Sequence, residues 1–96
     1  MTTPNESLKL LVVDDHEAVL GGTVMALEKT YPEANIRTAS TAKSALEELS
    51  YGLPDLMMMD LSIPKAPGEP SEIDAGIELL RSLLAEHPDL NIVVQS

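Results

Sequence analysis

A chain of 96 residues holds one domain at most, and such a domain buries roughly 60 to 70% of its unfolded surface. Six Lys and Arg against sixteen Asp and Glu give a net charge of −10, which opposes direct binding to nucleic-acid backbones or anionic lipid surfaces. The absence of Cys excludes disulfides, thiolate zinc sites and cysteine nucleophiles, and the absence of Phe and Trp leaves the core to Leu, Ile, Val, Met and Ala.

Residues 1–7 are polar with one Pro and read as a flexible lead-in. Leu8 to Val13 is almost wholly apolar, as expected of a parallel strand covered on both faces. A helix is expected from His16 to Thr30, with Val19, Leu20, Val24 and Leu27 at helical spacing and Pro32 beyond. Gly21-Gly22 costs that helix roughly 1 kcal/mol per Gly relative to Ala, which predicts either close packing there or poor helix formation.

Asn35 to Ala39 alternates as a second strand, and Ser40 or Thr41 caps a helix reaching about Ser50. Asp55 to Asp60 reads as a third strand. Ser62 to Asp74, with three Pro, a Gly and several charges, reads as a loop. The helical period returns over Ala75 to His87, and Leu90 to Gln95 forms a fourth strand before Ser96. No apolar run approaches the roughly 18 residues of a membrane span, and nothing near Met1 resembles a targeting segment. A cytoplasmic location is the default expectation.

Alternating strands and helices imply right-handed crossovers and a doubly wound parallel α/β sheet, whose ligand site lies beyond the carboxyl ends of the strands. That edge collects Asp14, Asp15, Asp60 and Ser96. Like charges held close raise one another's pKa unless a cation or donor compensates. Hard cations such as Mg²⁺ take oxygen ligands and keep several waters, so Asp15 and Asp60 suit direct ligation, Asp14 suits a metal-bound water, and a carbonyl just after Asp60 completes the protein share. A carboxylate beside Mg²⁺ is also a credible nucleophile toward phosphorus. Asp60, single at its strand end, is the better candidate, with Ser96 placed to donate to a phosphoryl oxygen.

Each acid alone has a bland alternative: an Asp pair after a strand is commonly a helix cap with a solvated neighbour. Their coincidence at equivalent strand ends favours the site. His16 reads as a solvent-facing residue of the first helical turn, and His87 as a last-turn residue meeting the helix dipole.

The stretches LKLLVVDDHEAV, PDLMMMDLSIP, AGIELLRSL and NIVVQS resemble the receiver domain of bacterial two-component response regulators, over roughly Lys9 to Ser96. The resemblance implies an incomplete flavodoxin-like fold of about four strands and three helices in strand order 2-1-3-4. It also implies a signalling module rather than an enzyme, with Asp60 taking a phosphoryl group from a sensor histidine kinase. By the same carry-over Mg²⁺ is held by Asp15, Asp60 and the Ser62 main-chain carbonyl, Asp14 acts through water, and Ser96 hydrogen-bonds the phosphoryl group.

Two departures from the family pattern stand out. The connection from Asp60 to Gly76 is long, implying an insertion around residues 64–74, where Lys65 is expected to be solvated. The family's fourth helix, fifth strand and fifth helix, with a conserved lysine and an aromatic switch residue, lie beyond Ser96, so 8–96 reads as a partial receiver and a poor phospho-acceptor. A bare fourth-strand edge predicts a homo-oligomer, by edge pairing or exchange of elements. The alternative is a receiver-like interaction or dimerisation module without phosphotransfer. An aspartate-nucleophile phosphohydrolase fits less well, because Leu61-Ser62 follows Asp60 and no acid stands two positions on.

Overall fold

The computed structural model describes residues 8–95. In chain order these form β1 (Lys9–Val13), α1 (Glu17–Thr30), β2 (Asn35–Ala39), α2 (Ala42–Ser50), β3 (Leu56–Asp60), β4 (Ile63–Pro64), β5 (Ser71–Glu72), α3 (Ile73–Glu86) and β6 (Ile92–Gln95). Four strands make one parallel sheet in the order β2-β1-β3-β6. This is the expected 2-1-3-4 order, with β6 as the fourth strand of the sheet because β4 and β5 pair separately.

Alternation along the strands divides the apolar residues between the two sheet faces. Leu11, Val13, Met57 and Met59 lie on one face with Ala39, and pack with Ala45 of α2 and with Leu79 and Leu83 of α3. Leu10 and Val12 point the other way, and α1 packs on β1 and β2. That second face is less fully covered: α1 has no fully buried residue, and Val93, opposite Met58 in the ladder, is 44% exposed.

Both predicted consequences of Gly21-Gly22 fail. A Cβ at either position would meet nothing within 4 Å, yet α1 runs unbroken through them. Flanking helix formers such as Ala18, Leu20 and Met25 carry the segment through without a packing role for the glycines. Thr41 caps α2 through a reciprocal capping box with Ser44, whose backbone N–H donates to Thr41 Oγ1 at 2.9 Å. At the far end of α2, Gly52 takes a φ of 146°, which a side chain rarely adopts.

The segment expected to be a loop from Ser62 to Asp74 is built differently. Ile63-Pro64 and Ser71-Glu72 pair antiparallel, and α3 begins at Ile73, two residues earlier than the apolar period suggested. The hairpin forms because Ile63 and Pro64 are buried, Ile63 completely, which anchors one arm in the core. Lys65 is exposed, as expected, while its carbonyl accepts the Lys43 N–H at 2.9 Å. The fourth sheet strand starts at Ile92 rather than Leu90, and His87 sits just past α3 as its C-cap. No helix among the described residues is long and apolar enough to cross a membrane.

Candidate functional site

Parallel pairing of β1 with β3 sets Val13 opposite Met59, so Asp14 and Asp60 reach the carboxyl edge of the sheet side by side. The Asp14 N–H continues the ladder to the Ala39 carbonyl at 3.0 Å, which fixes where this acid leaves β1. The outcome is a tight group: one ligand atom from each of Asp14, Asp15, His16 and Asp60 lies within 4.8 Å of the others.

His16 is the member that sequence reasoning misplaced. It is the N-cap of α1, outside the helix, with extended backbone angles. Its backbone N–H and its Nδ1–H both donate to Asp14 Oδ1 at 2.9 Å, and Nδ1 lies 3.2 Å from Asp15 Oδ1 and 3.7 Å from Asp60 Oδ2. The hydrogen bond to Asp14, then the charge of Asp15, hold the imidazole pKa above its ordinary value near 6.5, although the side chain is 59% exposed. A residue one position before a helix bends back over its own Asp pair, whereas a first-turn residue would point away. The signal available was adjacency to that pair.

Asp60 is oriented by its own turn, since the Ser62 N–H donates to its Oδ1 at 2.9 Å. Asp15 is held from a distance: Ser71, 56 positions on in β5, donates its hydroxyl to Asp15 Oδ2. Nothing in the sequence pointed to Ser71. Asp15 Oδ1 is buried and has no hydrogen-bond partner, His16 Nδ1 being near it but out of hydrogen-bonding geometry. Ser96 lies outside the described residues. A separate cleft lined by Lys9, Asn35, Arg37, Glu48 and Tyr51 sits at the amino ends of β1 and β2, away from the acids.

The pocket suits a hard divalent cation. Its carboxylates supply oxygen donors, and a buried acceptor without a partner is costly unless something satisfies it. Asp15 Oδ1 is such an acceptor, and Asp15 belongs to the group.

A parallel sheet in this strand order, with an aspartate pair and a third aspartate meeting at its carboxyl edge, defines a receiver-type signalling module on a flavodoxin-like fold. The chain belongs to the response regulator receiver domain family, whose profile matches residues 10–96. It is 31% identical over 91% of its length to the transcriptional regulatory protein YhcZ of Bacillus subtilis. It is 35% identical over 98% of its length to the transcriptional regulatory protein MctR of Rhizobium johnstonii. The chain spans 37% and 40% of those two proteins.

The non-phosphorylated receiver domain of the stress response regulator RcsB from Escherichia coli shares the fold. The TM-score is 0.75 at 23% identity, over 95% of this chain and 66% of that one. Receiver domains are signalling modules and generally not enzymes.

Proposed function

We propose that this chain is the phospho-accepting receiver module of a two-component phosphorelay, taking a phosphoryl group from a sensor histidine kinase onto Asp60. One observation carries the reading: Asp14, Asp15 and Asp60 meet with His16 in one pocket within 4.8 Å, in a chain of the receiver family. In the transfer an Asp60 carboxylate oxygen attacks phosphorus. A P–O bond forms as the P–N bond of the kinase phosphohistidine breaks, and the departing imidazole keeps the electron pair and takes up a proton.

Asp15, Asp60 and the Ser62 main-chain carbonyl would hold Mg²⁺, with Asp14 acting through water. The unpartnered Asp15 Oδ1 supports a direct role for that residue, and the engagement of Asp14 Oδ1 by His16 supports an indirect one for its neighbour. When bound, the ion supplies positive charge against the phosphoryl oxygens. Ser96 donates to one of those oxygens, residues 8–96 act as the receiver region with an insertion around 64–74, and the setting is cytoplasmic. Phosphorylation then biases a two-state equilibrium and changes protein contacts.

The test is incubation with a small phosphodonor, followed by intact mass. Labelling in Mg²⁺ that disappears in EDTA supports the reading; labelling indifferent to EDTA contradicts the metal's part in it.

A second reading, an interaction or dimerisation module without phosphotransfer, draws on β6. This strand is an edge of the sheet, and Val93 and Val94 are 44% and 42% exposed. Mg²⁺ binding with no labelling, together with tight self-association, would select it.

A further inference from the structure

The hairpin between β3 and α3 is tied down on three sides. Ile63 is fully buried in the core, the Lys43 N–H at the start of α2 donates to the Lys65 carbonyl, and β5 runs directly into α3. Within the hairpin Pro64 stands opposite Ser71. Ser71 is therefore set by a buried partner strand on one side and by a helix start on the other, although it is itself exposed. An exposed serine hydroxyl is ordinarily satisfied by water. Here it donates across 56 positions of sequence to Asp15 Oδ2.

That bond decides how Asp15 presents itself. With Oδ2 engaged on the outer side, the carboxylate plane is fixed, and the other oxygen, Oδ1, lies buried and unpartnered in the pocket with Asp14, His16 and Asp60. Without the bond, rotation about χ2 would let Asp15 exchange its oxygens and turn toward solvent. Outer hydrogen bonds to ligating carboxylates fix their orientation, and their loss typically lowers metal affinity about 10- to 100-fold.

We propose that Ser71 is a positioning residue for the divalent-cation site, and that the β4–β5 hairpin fixes the Asp15 carboxylate for Mg²⁺. The role rests on the proposed Mg²⁺ site and extends it to a segment outside the acid-bearing strand ends.

The test is calorimetric titration of the chain with MgCl₂, comparing wild type, Ser71→Val, Ser71→Thr and Glu69→Ala. Val and Thr have the same shape and differ in the hydroxyl, and Glu69 is an exposed residue of the same hairpin outside the acidic group. Ser71→Val should weaken Mg²⁺ about tenfold or more, with Ser71→Thr and Glu69→Ala close to wild type. Unfolding midpoints in EDTA should agree between the Val and Thr variants, which separates lost positioning from lost folding. Equal affinity for Ser71→Val and Ser71→Thr overturns the proposal while leaving the metal site standing. A wild-type chain that binds no Mg²⁺ overturns the site itself, and the role of Ser71 with it.

Discussion

Gly76 of α3 lies directly against the backbone of Leu61, the residue that follows Asp60. A methyl group at position 76 would fall 1.9 Å from the Leu61 carbonyl oxygen and 2.5 Å from its carbonyl carbon. Main chain cannot yield as a flexible side chain does, so Gly76→Ala must displace either α3 or the turn behind Asp60. The expected cost is about 3 kcal/mol, read by urea denaturation. A variant as stable as wild type would show that the two segments are free to separate.

The opposite outcome is expected on α1. Gly21 and Gly22 are helical and exposed, and a Cβ at either would meet nothing within 4 Å. Gly22→Ala should stabilise the chain by about 0.5 to 1 kcal/mol through helix propensity. Destabilisation in the same denaturation assay would reveal a packing role for this glycine.

The strands and the strand order were legible because Leu10 to Val13 and Leu56 to Met59 are short apolar runs closed by acids, and parallel crossovers then leave few arrangements. Those same closing acids made Asp14, Asp15 and Asp60 legible. His16 was not, because helical periodicity does not distinguish an N-cap from a first-turn residue, and the two point in different directions. The hairpin was hidden for another reason. Its pairs, Ile63 with Glu72 and Pro64 with Ser71, are two residues long and carry no alternating pattern, and what forms them is burial of Ile63. Ser71 could not be tied to Asp15 without that hairpin.

Stability without metal should depend on pH through His16. Its folded pKa is raised, first by the hydrogen bond to Asp14 and then by the charge of Asp15. The folded state therefore holds the proton more tightly than the unfolded chain. Its contribution is complete below the unfolded value near 6.5 and fades as pH rises through the higher folded value. In EDTA, the wild-type melting temperature should decline over that rise more steeply than that of His16→Gln. Parallel profiles for the two proteins would show that the imidazolium adds nothing to the fold.

Self-association should follow from the exposed edge of β6. Val94 stands opposite Met59 in the ladder and is 42% exposed, and an uncovered apolar edge strand is a template for pairing with another chain. Light scattering over a dilution series should show wild type dissociating only at low concentration, with Val94→Lys monomeric throughout. A wild-type chain that is monomeric and folded at micromolar concentration would remove the edge from the account.

Phosphoryl acceptance at Asp60 is tested most directly by mass. Wild type and Asp60→Asn are incubated with Mg²⁺ and a small phosphodonor, and their intact masses are compared. Wild type should gain the mass of one phosphoryl group and Asp60→Asn should gain none. Equal labelling of the two would contradict Asp60 as the acceptor.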